Sequence, residues 1–453
     1  MVTNNRQTTK TKENTLTTNN RGKPLSKLEL LKNRLIYLTT IIPNYDQDDD
    51  ESIFVARRKK IRHKINNAWK VVYEFLGKNQ KNRLNDDEFL RNHFYMYYGY
   101  DTDTASVVDR ILLEDKFTAK DALSRKISFE DIEKYTTSLE KAAVNWFRIK
   151  NPIHPEARFS PEVALWLEKL RRENYPPFFV CLMTVLIKKV SDNIFLELVK
   201  TMERYFFLVF GLSRRKSNTG ISLFYQRAHH VWRGTKTIFD LKNEIETRTK
   251  EGHDTSMVRF KNKLTDLFGS SNAAKAGFYG WTELNYFLHE YELGLQGDEE
   301  LKTVWHTGKN TVEHIYPKDD NRGCWQEHFG EFNTVEKWYL LHNLGNLLLL
   351  SRSKNSALSN RCFGYKKRHE NNGNEEGFFN GSHSEIEVNK ESEWTPNSIL
   401  ERGLKMFEFI ESRWNIKIGD RERKTEILGL GFLNEKEDSE KEEETPTPDN
   451  KEQ

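Results

Sequence analysis

The chain has 453 residues, 36% hydrophobic, 31% charged and 12% aromatic, which excludes a mini-protein and a disordered or fibrous chain and leaves room for about three domains at roughly 150 residues each. Its longest apolar run, the ten residues 178–187, falls short of the roughly 18 that cross a bilayer, the polar start lacks a secretory signal, and three cysteines make no disulfide framework, so a reducing, cytoplasmic setting is expected. The net charge of +3 hides a split, because nine acids against three lysines after residue 434 give that stretch −6 and leave +9 on the rest, an excess compatible with a polyanionic partner.

Residues 1–20 are Thr/Asn-rich and unpatterned and are expected to be disordered. Ser26-Lys-Leu-Glu29 has the spacing of a capping box, and Leu28, Leu31, Leu35 and Leu38 recur on one face, which predicts a helix to about Leu38. Residues 44–51 hold five acids and read as a loop. Ile61, Ile65, Ala68, Trp69, Val72 and Leu76 then predict a second amphipathic helix, opened by a basic run at 57–64 that is either a solvated face or a phosphate contact. Helical patterns follow at 163–170, 178–190, 194–211, 262–267 and 281–293, with Pro152, Pro155, Pro161, Pro176 and Pro177 between them. No fixed-period repeat, Walker-type phosphate loop or dinucleotide-binding glycine turn is present. His229-His230 and Glu203-Arg204 read as surface or core polar pairs rather than as chemistry. A Gly- and acid-containing stretch begins at 294 and predicts a linker to residue 310, and the acidic residues 433–453, with two Thr-Pro pairs, predict a disordered tail.

The informative region is 311–366. Thr311-Val-Glu-His-Ile-Tyr-Pro317 reads as a short strand that delivers an acid and a histidine to its end. Leu344-Gly-Asn-Leu-Leu-Leu-Leu350 reads as a second, apolar strand, Ser351-Arg-Ser-Lys-Asn355 as a polar turn, and Asn360-Arg-Cys-Phe-Gly-Tyr-Lys366 as the start of a helix. A compact β-β-α element would thus gather Glu313, His314, Asn346 and Asn355. Phosphodiester hydrolysis needs a base for water, which neutral imidazole supplies, and charge compensation for the pentavalent phosphate, which a hard divalent ion held by carboxylate and carboxamide oxygens supplies. His314 suits the base, Glu313 and Asn355 the ligands, and Asn346 a group that holds backbone or ring geometry. Arg352, Lys354, Arg361, Lys366, Lys367 and Arg368 cluster beside them and fit contacts to a nucleic-acid backbone or plain solubility. Cys324, His328, His342 and Cys362 suggest a zinc site only weakly, without a Cys-x-x-Cys pair.

At Glu313-His-Ile-Tyr-Pro317, Leu344-Gly-Asn-Leu347, Asn355, Leu358-Ser-Asn360, Phe363-Gly-Tyr-Lys366 and Trp394-Thr-Pro-Asn-Ser-Ile-Leu-Glu-Arg402, the sequence resembles the HNH (His-Me finger) nuclease domain of GmrSD-type, modification-dependent restriction endonucleases. The resemblance implies a mainly α-helical protein with a helical body over 21–293 and a C-terminal ββα-metal nuclease domain over 311–432. It implies His314 as general base, Asn346 as the middle residue of the HNH triad, Glu313 with Asn355 as the metal pair, Mg²⁺ or Mn²⁺ as cofactor, and foreign or modified DNA as substrate in bacterial defence. The competing expectation is a non-catalytic DNA-binding or assembly subunit. Upstream, residues 19–33 look like the junction that follows the family's nucleotide-handling N-terminal domain, whose Asp-Gly-Gln-Gln-Arg signature is not in this sequence. A separately encoded subunit is therefore expected to supply that domain and to dock on residues 21–76, where the leucine face of the first helix would be left bare.

Overall fold

The computed structural model describes residues 25–44, 51–103, 105–173, 175–213, 215–216, 218–253, 256–296 and 310–434. The expected disordered start, the interior of the acidic loop, most of the expected linker and nearly all of the acidic tail lie outside the described residues. The described chain is mainly helical, with two short antiparallel strand pairs. The described residues form two compact units, one made of those up to 199 together with 220–241, the other of those in 200–219 and from 242 onward. No described helix is long and apolar enough to cross a membrane.

In the first unit, helix α1 (Lys27–Ile41) starts with the capping box expected from its sequence, Ser26 N–H donating to Glu29 and Glu29 N–H to Ser26 Oγ. Leu28, Leu31, Leu35 and Leu38 are all 0% exposed, packed by helices α2 (Glu51–Gly77) and α3 (Asp86–Tyr98) of the same unit. That corrects the expectation of a bare leucine face, which offers no docking surface for a separate subunit. Helix α2 starts earlier than its sequence pattern suggests, because Phe54, seven residues before Ile61, lies on the same buried face. The basic run therefore sits inside the helix rather than at its opening. Trp69 is fully buried on that face and its indole N–H donates to Leu28 O at 3.1 Å, joining α1 to α2. Helix α4 (Phe129–Lys150) covers α2 and offers Glu130 and Glu140 to Arg57 and Lys64.

The apolar core of the second unit runs from Phe207 through Phe278, Trp281 and Phe287 to Ile315, the leucines 347–350, Phe407 and Trp414. Glu203 has the core polar role allowed for it: its carboxylate accepts from Tyr286 Oη (2.6 Å), Trp414 Nε1 (3.0 Å) and Arg413 Nη2 (3.2 Å). Strand β1 (Asn310–His314) pairs antiparallel with β2 (Leu347–Ser351), His314 opposite Leu347 and Glu313 opposite Leu348. Between the strands lie helix α5 (Gly323–Phe329), a further helix (Thr334–Leu341) and the 3₁₀ turn Leu344–Asn346 that leads into β2. Residues 351–355 are not a turn: Ser351 Oγ accepts from Lys354 N–H and caps helix α6 (Arg352–Leu358) directly after β2. The segment expected to start the helix of the β-β-α element is instead a separate short helix, α7 (Phe363–Lys367). Residues His369–Asn371 and Asn374–Glu376 form a second small strand pair that the sequence pattern did not suggest. The segment that begins at Trp394 runs into the closing helix α8 (Pro396–Trp414).

Cys324 on α5 and Cys362, the N-cap of α7, form a disulfide, so the zinc alternative falls and one pair of the three cysteines is oxidised. Cys181 is buried and unpaired. The disulfide closes a loop of 38 residues, for which chain entropy in the unfolded state gives about 4 kcal/mol of stabilisation. Reduction with dithiothreitol should therefore lower the urea midpoint of the wild-type chain, and a Cys362→Ser variant should sit at that lower midpoint whether or not reductant is present. Identical midpoints for all four samples would show that the two sulfurs are not bonded in solution.

Candidate active site at the end of the first strand

Alternation along β1 sends Thr311 and Glu313 to one face of the strand and Val312 and His314 to the other. The Glu313 carboxylate is buried and accepts from Lys366 Nζ at 2.5 Å. Lys366 is itself fully buried, and its ammonium also donates to the carbonyls of His314 (3.1 Å) and Ile315 (2.9 Å). Burial pushes the Glu313 carboxyl above its ordinary value and the Lys366 amine below its own, each partly offset by the charge of the other. Lys366, expected among the nucleic-acid contacts, is thus an internal cation that fixes the acid and the chain just after it. Asn355 on α6 packs against the same face, donating from Nδ2 to Thr311 Oγ1 (2.9 Å) and Val312 O (3.3 Å).

On the opposite face, His314 Nε2 lies 3.3 Å from Nδ1 of His342, and the ring of Tyr279 packs 4.6 Å from the His314 ring. Burial, followed by the nearby His342 and Lys366, lowers the His314 pKa to about 3, and burial with Lys318 lowers that of His342 to about 4. Both imidazoles are therefore neutral across ordinary buffers, and a neutral ring keeps one nitrogen able to accept a proton. Tyr279 is a site neighbour that sequence reasoning did not assign, and His342 one that it considered only as a zinc ligand. The signal for His342 was its position four residues before Asn346, at the end of the helix that leads into the Leu344-Gly-Asn-Leu347 segment.

Asn346 is fully buried and all of its polar capacity is used on the protein. Its Oδ1 accepts from Tyr316 N–H (2.7 Å) and from the Trp394 indole (3.1 Å), and its Nδ2 donates to Tyr316 O and Leu341 O, both at 2.9 Å. Its own carbonyl accepts from Ile315 N–H at 3.0 Å. Of the two alternatives open for Asn346, backbone or ring, the observed bonds go to backbone and to an indole, and none goes to His314. The residue before it must be glycine, since a Cβ on Gly345 would stand 1.9 Å from Ile399 O of α8.

The remaining basic candidates divide. Arg352 and Arg361 are exposed, the latter with its guanidinium 5.0 Å from the centre of the Tyr365 ring. Lys354 pairs with Glu385 and donates to Gly377 O, and Lys367 donates to Glu391 O. Among the described residues no group of three or more His, Cys, Asp or Glu side chains could hold a metal ion. The oxygens near β1 that could serve a cation are those of the Glu313 carboxylate, which already meets Lys366, and of the Asn355 carboxamide, whose nitrogen is turned to the strand and whose oxygen accepts no hydrogen bond among the described residues. Two hard oxygen donors completed by water suit Mg²⁺, which keeps much of its hydration in protein sites.

No curated protein matches the chain. Residues 254–409 match the family model of the C-terminal domain of GmrSD restriction endonucleases, a span that contains β1, β2, α6, α7 and every polar group of the site described above. Residues 254–409 are thus a GmrSD restriction endonuclease C-terminal domain, a family assignment that implies DNA as the substrate.

Proposed function

We propose that the chain is a metal-dependent DNA endonuclease of the HNH, His-Me finger type, with β1, β2 and α6 as its ββα-metal element and foreign or modified DNA as its substrate in bacterial defence. The observation that carries this reading is the neutral, half-buried imidazole of His314 at the end of β1, inside the matched domain, with Glu313 on the other face of the same strand and Asn355 of α6 bonded to that strand. His314 is the general base. Its Nε2 is engaged with His342 Nδ1, so the proton acceptor is Nδ1, which requires the tautomer in which His314 Nε2–H donates to His342. His342 acts as a positioning residue that selects this tautomer. Asn346 holds the backbone at 315–316 and so the direction in which β1 ends. Glu313 and Asn355 would hold a divalent cation, Mg²⁺ or Mn²⁺, which compensates charge on the phosphate and the leaving oxygen when bound. Arg352 and Arg361 meet the phosphate backbone.

The alternative of a non-catalytic DNA-binding or assembly subunit draws on one observation, the neutralisation of Glu313 by Lys366. Nicking or linearisation of plasmid DNA with Mg²⁺ or Mn²⁺, lost in EDTA, separates the two. If cleavage is seen, His314→Ala should lower it by roughly 10²–10⁴-fold while duplex binding persists; turnover within about threefold of wild type would remove His314 from the base role.

Asn346→Ala should behave differently, because it leaves Tyr316 N–H and O, Leu341 O and the Trp394 indole without a partner. At about 1–3 kcal/mol for each stranded group, a loss of more than about 3 kcal/mol in urea unfolding is expected together with the loss of cleavage. Wild-type stability in this variant would show that the clamp is dispensable. Asn355→Ala should raise the Mn²⁺ concentration that half-saturates cleavage and recover part of the rate at high metal, since losing a ligand lowers occupancy first. An unchanged half-saturation point would exclude Asn355 from the coordination sphere.

A further inference from the structure

Helix α2 lies outside residues 254–409 and carries seven Lys and Arg side chains against Glu51 and Glu74, a net charge of +5. Both acids sit at its ends. Lys59, His63, Asn66 and Lys70 follow one another at helical spacing on the side opposite the buried Ile61, Ile65, Ala68 and Val72, with Lys60 and Asn67 beside them, and all six are exposed. The cations on the flanks have protein partners: Arg57 pairs with Glu130, Lys64 with Glu140, and Arg62 donates to Thr39 Oγ1. Lys59, Lys60 and Lys70 have no such partner among the described residues.

We propose that this face of α2 is a contact for the backbone of duplex DNA, a sequence-independent hold on the substrate apart from the β1 site. The proposal rests on the DNA-endonuclease reading. Lys59 and Lys70 are eleven residues apart, about 16 Å along the helix, and that length of duplex axis presents roughly nine phosphate charges. Three unpaired ammoniums and two flanking carboxamides are donors that meet phosphate oxygens without reading bases, and counterion release drives such contacts. Between Lys59 and Lys70 the face bears no Phe, Tyr or Trp, and Tyr73, the next residue on that line, has its hydroxyl buried, so the stretch lacks the stacking platforms with which proteins grip unpaired bases, and a double strand is its fitting occupant.

The test is fluorescence anisotropy with a short random-sequence DNA duplex in EDTA over a salt series, using the full chain, a Lys59→Ala/Lys60→Ala/Lys70→Ala triple variant and the corresponding triple arginine variant. Plasmid cleavage and thermal melting are measured on the same preparations. The alanine triple should bind about tenfold or more weakly at low salt, with the slope of log K against log salt flatter by about 2–3, the arginine triple should match wild type, and all three should melt together. Equal affinity and slope for wild type and the alanine triple, while the wild type cleaves DNA, would overturn this proposal alone. Wild type that neither binds nor cleaves duplex DNA would overturn the endonuclease reading and this proposal with it. Preferential binding of an RNA of the same length, lost in the alanine triple, would overturn duplex DNA as the occupant. If the alanine triple fails to fold, a triple glutamine variant carries the same comparison.

Discussion

Everything at the proposed site depends on one buried carboxamide. An amide taken out of water without partners costs several kcal/mol, and Asn346 avoids that cost by bonding to four groups, two of them the N–H and C=O of Tyr316. Because an amide has one donor end and one acceptor end, this arrangement fixes the peptide after β1 in position and direction at once. His314 is two residues upstream, so the imidazole inherits its place from an interaction it does not make. Trp394 joins the same oxygen from the chain just before α8, and Gly345 lets α8 approach to backbone contact. The strand end, the 3₁₀ turn before β2 and the closing helix are thereby referred to a single side chain.

The site combines a neutral interior with charge held in closed pairs. His314 and His342 are uncharged because burial penalises the imidazolium, and the acid beside them is matched to a lysine that itself has no access to solvent. The same device recurs deeper in that unit, where Arg413 sits between Glu203 and Glu290. Such pairs contribute little net stability compared with apolar residues of the same size, but removing one partner strands the other. Exposed positive charge is placed elsewhere, on α2 and at Arg352 and Arg361. In the proposed reading, long-range attraction for a polyanion and local chemistry are carried by different side chains.

Local periodicity and capping made α1, α2 and most later helices legible, since Ser26, Glu29 and the four leucines obey rules that act over a few residues. The two strands were legible from β-branched and apolar runs, and the grouping of Glu313, His314, Asn346 and Asn355 from their order and types. Three features were not. The helix Arg352–Leu358 looked like a turn because Ser351, its cap, sits among residues common in both. Lys366 looked like a surface cation because nothing local announces that Glu313, 53 residues away, will bury it. The pairing of Cys324 with Cys362 and the packing of His342 on His314 are likewise products of tertiary approach, which spacing in one sequence does not encode.

The link between Cys324 and Cys362 also divides the site topologically. Strand β2 and α6, with Asn346 and Asn355, lie inside the covalent ring it closes, whereas β1, with Glu313 and His314, lies outside and is attached to that ring through the chain at one end and through hydrogen bonds along its edge. A protease that cuts once among the exposed residues at the start of α6 opens the ring but frees neither piece. The nicked molecule keeps both asparagines on covalently joined fragments and migrates as one chain until a thiol is added, so proteolytic damage at this exposed edge need not dismantle the site it borders.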